Sequence, residues 1–173
     1  LSDKGVDFCV WAPNAASVSV LVGEPFDWQE TSLERDDNDR WSGFAEGVQA
    51  GQSYKYKITT HEGAVIEKND PRARQLTASD EGVSVIIDPH YDWEGIESPV
   101  IEKNEHIIYE LHIGTFHRPD AATTGTFASA TEKLDYLQQL GVTTIELMPV
   151  TSIAMSNGWG YAPNYLFSVE NSY

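Results

Sequence analysis

The side chains best suited to chemistry crowd into the last third of the chain. Ile107-Ile108-Tyr109-Glu110-Leu111-His112-Ile113-Gly114-Thr115-Phe116 carries a carboxylate and an imidazole on one extended run. Gly141-Val142-Thr143-Thr144-Ile145-Glu146-Leu147-Met148-Pro149-Val150 carries a second carboxylate, and Trp159-Gly160-Tyr161 follows it. Carboxylates and imidazoles exchange protons, and an aromatic loop stacks on flat apolar faces. Metal chemistry finds no support, because His61, His90, His106 and His117 share no ligand spacing with one another or with acids. The single cysteine, Cys9, has no partner for an internal disulfide, and its place in an apolar alternation assigns it as a small buried hydrophobe.

These residues need a scaffold, and the surrounding periodicity describes one. Residues 107–111 read as a strand. From Phe127 the apolar positions Phe127, Ala130, Leu134, Leu137 and Leu140 recur at three and four, painting one face of a helix. Thr126 is the expected N-cap and Gly141 the expected residue just past the end. A strand at 144–148 follows at once. Strand, helix and strand with short joints form a βαβ unit with parallel strands. Its loops at the C-terminal strand ends are where such architectures hold ligands, and the Trp159 to Tyr161 loop leaves from that end.

The front of the chain has a different period. Val6, Phe8 and Val10 alternate with Asp7 and Cys9, and Val18, Val20 and Val22 alternate with Ser19 and Leu21. Tyr54, Tyr56 and Ile58 do the same, as do Val83, Val85 and Ile87. Turn formers separate these runs at Ala12-Pro13-Asn14, Asp36-Asp37-Asn38-Asp39, Ala50-Gly51 and Glu62-Gly63. Trp11 and Trp41 are read as core. The expected organisation is a β-sandwich over residues 1–88, a polar connector over 89–105, and a parallel βα region over 106–173. A (β/α)8 barrel needs about 250 residues, so the last region is expected to be the opening of a longer enzyme.

Composition bounds the function classes. The 173 residues are 40% hydrophobic and 11% aromatic, which suits a core-forming chain rather than a disordered one. The net charge is −16 and both halves are acidic, so phosphate-bearing nucleic acid and anionic membrane surfaces are repelled. A neutral polymer is not. No apolar run approaches the ~20 residues that span a bilayer. The start, Leu1-Ser2-Asp3-Lys4, is neither a leader peptide nor an initiator, so the natural N-terminus is expected to be missing; a cytoplasmic setting is favoured.

The segments Tyr109 to Phe116, Gly141 to Val150 and Trp159-Gly160-Tyr161 resemble the first two barrel strands and following loop of the α-amylase family. They look most like members that carry an N-terminal β-sandwich, such as glycogen branching enzymes and maltooligosyltrehalose trehalohydrolases. The front half agrees. Val6, Phe8 and Val10-Trp11-Ala12-Pro13-Asn14-Ala15, with Trp28, Trp41, Tyr54-Lys55-Tyr56 and Asp70-Pro71, resemble the glycogen-binding-type module of carbohydrate-binding family 48. The resemblance implies an immunoglobulin-like all-β sandwich followed by the first βαβ part of a (β/α)8 TIM barrel.

It also implies a retaining reaction on α-linked glucose polymers, run by two carboxylates through a covalent glycosyl-enzyme. The family places those carboxylates beyond later barrel strands. Glu110 and Glu146 do not match them, so no catalytic residue is assigned. Tyr161 matches the family tyrosine that stacks on the sugar at the cleavage point, against the alternative that it packs its loop; Trp159 is read as packing. His112, near the end of the first strand, is either a sugar contact or a satisfied core histidine. Trp28 and Lys55 match glucan-contacting residues of the module. A second platform tryptophan of those relatives falls near Ala64-Val65, where no aromatic stands, which favours a supporting role for the sandwich. No cofactor is implied, and the partner implied is an α-glucan polysaccharide or oligosaccharide. The leading expectation is an α-glucan hydrolase or glucanotransferase whose catalytic carboxylates lie outside this chain, inactive as it stands. A non-catalytic glucan-binding or scaffolding protein is the alternative.

Overall fold

The computed structural model describes residues 1–24, 27–78, 82–154 and 159–173. The chain divides into two units, Leu1–Pro89 and His90–Tyr173.

Among its described residues the first unit has eight strands. β1 (Gly5–Trp11), β2 (Ala15–Glu24), β3 (Asp27–Ser32), β4 (Glu34–Arg35), β5 (Arg40–Glu46), β6 (Ser53–Thr60), β7 (Val65–Lys68) and β8 (Ser84–Val85) follow in order. One sheet runs β1-β5-β4 and the other runs β3-β2-β6-β7, with β8 also on β6; all pairings are antiparallel. The period-two residues explain the sandwich, because successive side chains of a strand point to opposite faces. Val6, Phe8, Val10, Trp41 and Ala45 from one sheet meet Val18, Val20, Val22, Tyr54 and Tyr56 from the other in one buried cluster. Phe8 and Tyr54 rings lie 5.2 Å apart, and the Tyr54 hydroxyl donates to Asp70 at 2.8 Å. Burial first, then the charge of Asp70, pushes the Tyr54 phenol well above its ordinary value.

Three expectations for this half are corrected. Trp11 is not core: it is 67% exposed. Cys9 is exposed rather than buried. Both follow from the same parity, since Val6, Phe8 and Val10 take the inward positions of β1 and leave Asp7, Cys9 and Trp11 outward. The run Val83 to Ile87 is inverted as well. Ser84 and Ile86 face the core, and the Ser84 hydroxyl accepts the backbone N–H of Asp70 at 2.9 Å. A hydrogen-bonded serine thus takes an inward place that hydropathy awarded to the valines.

The second unit opens with a 3-10 turn (Lys103–Glu105) and then runs β9 (Ile108–Leu111), α1 (Ile113–Phe116), α2 (Phe127–Thr131), α3 (Leu134–Gln139), β10 (Thr144–Leu147), β11 (Thr151–Ile153) and β12 (Pro163–Val169). β10 pairs parallel with β9, in register Thr144 to Ile108 through Leu147 to Leu111. β11 and β12 form an antiparallel pair. The expected single helix is two short ones, because Lys133 leaves helical geometry at φ −107 and ψ 4. Its ends are as read. Thr126 forms a capping box with Ser129. Gly141 takes φ +92, its N–H bonds to the Gln138 carbonyl, and the Val142 N–H bonds to Leu137, which satisfies the last carbonyls. Leu111, Ile113, Ala130 and Leu137 form the buried cluster, with Phe127, Val142, Ile145 and Tyr173 packed on it. Leu134 and Leu140 are exposed. Among the described residues, no helix is long and apolar enough to cross a membrane.

Candidate functional site

At the C-terminal end of β9 the chain turns at His112 into α1. Both ring nitrogens of His112 are engaged. Nε2 lies 2.7 Å from the Tyr173 hydroxyl and Nδ1 lies 3.1 Å from the Thr115 hydroxyl. A hydroxyl both donates and accepts, so either tautomer of the imidazole is satisfied. The two rings meet edge-on, 5.5 Å apart at 89°. Gly114 makes the pairing possible: a Cβ there would come within 2.9 Å of both the His112 and Tyr173 rings. Gly125 plays a similar part, since a Cβ would sit 2.5 Å from the Ile113 carbonyl oxygen.

Tyr173 is half-buried, and its phenol is pushed up by that burial and then by the nearby charge of Glu170. Glu170 is itself tied down. One carboxylate oxygen accepts the Ile153 N–H at 3.2 Å, and the other accepts from the N–H and hydroxyl of Ser172 at 3.2 and 3.0 Å. His112, Thr115, Arg118, Glu170 and Tyr173 line a pocket of about 370 Å³. Neither Glu170 nor Arg118 was singled out by spacing, and Tyr173 stands 61 residues from its histidine partner. No local signal links them.

Tyr161 lies elsewhere. It sits in the loop between β11 and β12, 64% exposed, and does not line this pocket. Gly160 beside it is at φ +84, close against the Pro149 carbonyl at the exit of β10. Trp159 is exposed as well, with φ +50. Glu110 and Glu146 are register partners on the bodies of β9 and β10, both exposed, one residue short of the final pair Leu111 and Leu147.

In the sandwich, register brings Trp28 and Lys55 to one face. Gly23 of β2 pairs with Trp28, and Leu21 pairs with Lys55 on one side and Glu30 on the other. Trp28, Glu30, Lys55 and Lys57 therefore share the outer face, opposite in parity to Val20, Val22, Tyr54 and Tyr56. Both Trp28 and Lys55 are half-buried. Lys57 donates to Glu30 at 2.8 Å across the same face, and that hydrogen bond, aided by one from Ser19, lowers the Glu30 carboxyl below its ordinary value. Val65, beside the missing platform position, is exposed at the start of β7.

Residues 1–73 match the carbohydrate-binding module 48 (isoamylase N-terminal domain), and residues 111–173 match the alpha amylase catalytic domain. The chain joins a family 48 carbohydrate-binding module to the start of an α-amylase catalytic domain. It is 35% identical over its whole length to the malto-oligosyltrehalose trehalohydrolase of Saccharolobus solfataricus, of which it spans 29%. It is 32% identical to the 1,4-alpha-glucan branching enzyme GlgB of Chlamydia trachomatis serovar L2, over 98% of this chain and 24% of that enzyme. The Group B Streptococcus pullulanase SAP, solved with maltotetraose, superposes with a TM-score of 0.83 at 25% identity, over all of this chain and 28% of that one. The chain thus spans less than a third of these relatives. Trp28 and Lys55 fall in the family 48 module; His112, Tyr161 and Tyr173 fall in the catalytic-domain segment.

Proposed function

We propose that the chain is the N-terminal portion of an α-glucan-active enzyme, a hydrolase or glucanotransferase acting on glycogen, starch or maltooligosaccharides. The observation that carries this reading is the pairing of two separately matched modules in one order. The relatives' own names point the same way, to trehalose release, branching and pullulan cleavage.

The reaction is a retaining double displacement, in which one carboxylate attacks the anomeric carbon and a second, about 5 Å away, first protonates the leaving oxygen and then activates water or an acceptor hydroxyl. No residue of this chain takes either role. Glu110 and Glu146 lie side by side on strand bodies, not at the strand ends where barrel enzymes do chemistry. Tyr161 is the sugar-stacking residue: its ring stands in solvent on a loop past the end of β10, free to cover the apolar face of a glucose unit. His112 stands apart from it at the end of β9, where it holds Tyr173 at the wall of its own pocket. Trp28 and Lys55 offer one stacking surface and one donor on the sandwich face, a lesser contact to the polymer.

The test uses the 173-residue chain beside the complete product of its reading frame, each incubated with amylose and maltooligosaccharides. The complete protein is expected to release or transfer glucan and this chain to yield nothing above buffer. An inactive complete protein overturns the reading in favour of a glucan-binding scaffold; an active 173-residue chain overturns the placement of the carboxylates.

A further inference from the structure

The pocket beside the His112–Tyr173 pair is separate from Tyr161 and has hydrogen-bonding capacity to spare. Its volume of about 370 Å³ falls within the range of small-ligand sites. His112 cannot supply that capacity, since Thr115 and Tyr173 already occupy both ring nitrogens. Arg118 can. Its Nε donates to the Thr123 carbonyl, which fixes the guanidinium against the loop, and its terminal nitrogens bond to no described residue. On the other wall, the Glu170 oxygen that takes the Ile153 N–H has a second lone pair. The Tyr173 ring adds an aromatic surface held edge-on by His112.

Charge narrows the ligand class. Among the described residues, one guanidinium and one side-chain carboxylate line the pocket, so their charges cancel, within a chain of net charge −16. An anion would meet Glu170 and a cation would meet Arg118. A neutral polyhydroxylated ring meets both well, because its hydroxyls accept from the first and donate to the second. We propose that this pocket is an accessory glucosyl-binding subsite, with Arg118 and Glu170 as its polar contacts and Tyr173 as its aromatic wall, set in place by His112. The proposal rests on the reading of the chain as part of an α-glucan enzyme, and adds a sugar position apart from Tyr161.

The experiment titrates the 173-residue chain with maltotriose, following the Tyr173 and His112 resonances by NMR. Arg118→Met keeps the stem and removes the donors; Trp28→Ala removes the sandwich contact and serves as comparison. Loss of a charge-assisted hydrogen bond is expected to weaken maltotriose binding by about tenfold or more in Arg118→Met. Trp28→Ala is expected to leave the Tyr173 response in place. Three outcomes overturn the proposal: no Tyr173 or His112 response to maltotriose, equal affinity in Arg118→Met, or a response to inorganic phosphate rather than sugar. Failure here with an active complete enzyme sinks the subsite alone. An enzyme inert toward every α-glucan sinks the functional reading beneath it.

Discussion

Gly160→Ala isolates what holds the Tyr161 loop. Gly160 adopts φ +84, and a Cβ there would lie 2.1 Å from the Pro149 carbonyl oxygen. Two costs follow. Placing an L side chain in left-handed geometry costs roughly 1–2 kcal/mol. Ordinary contact begins near 3.4 Å, so the Pro149 carbonyl must also retreat, and such overpacking typically costs about 1–3 kcal/mol. The expected loss is about 2–5 kcal/mol. Gly141 provides the control, since it has φ +92 with nothing within 4 Å of an added Cβ. Gly141→Ala is expected to lose only the first cost, about 1–2 kcal/mol. Native-state hydrogen exchange is the assay, because it reports local opening. The Met148 N–H, bonded to the Leu111 carbonyl at 2.9 Å, reports β10, and the Leu33 N–H, bonded to Val18 at 3.0 Å, reports the sandwich. Gly160→Ala should speed exchange at Met148 well beyond Gly141→Ala and leave Leu33 unchanged. Equal losses in the two variants would refute the argument, since the Pro149 contact is their only relevant difference.

Three further outcomes are expected. In the complete enzyme proposed above, Tyr161→Ala should lower kcat/KM by roughly 1–3 kcal/mol in barrier terms with little change in Tm, because the ring sits on the loop between β11 and β12 and outside the buried cluster; a fall in Tm with unchanged specific activity would make it a packing residue. Glu30→Gln should cost under about 1 kcal/mol at neutral pH, as befits an exposed ion pair. Because the folded-state pKa of Glu30 is depressed, its contribution is present above the unfolded value of 4.5 and disappears as pH falls through the lower folded value, so variant and parent urea midpoints should converge there. Cys9 should react with a thiol reagent in the folded chain at close to its unfolded rate, since its side chain faces outward from β1; protection until unfolding would contradict that orientation.

Much of the scaffold is legible in the residues themselves, because periodicity and end signals are local. The alternations around Val6, Val18 and Tyr54 locate β1, β2 and β6, and Thr126 and Gly141 mark helix ends through hydrogen bonds made within a few residues. The motifs along β9 and β10 suffice to name the catalytic-domain segment, and the Val6 to Ala15, Trp28 and Tyr54 to Tyr56 pattern the module before it. Hydropathy alone misplaces Trp11, Cys9 and the Val83 to Ile87 run, because it ranks residues by type while the strand assigns faces by parity. What remains belongs to tertiary structure. Trp28 and Lys55 share a face only through their separate registers on β2, and His112 finds Tyr173 across 61 residues only because Gly114 lets the two rings close. Contacts of that kind depend on how distant backbones meet in space, and no spacing along the chain records it.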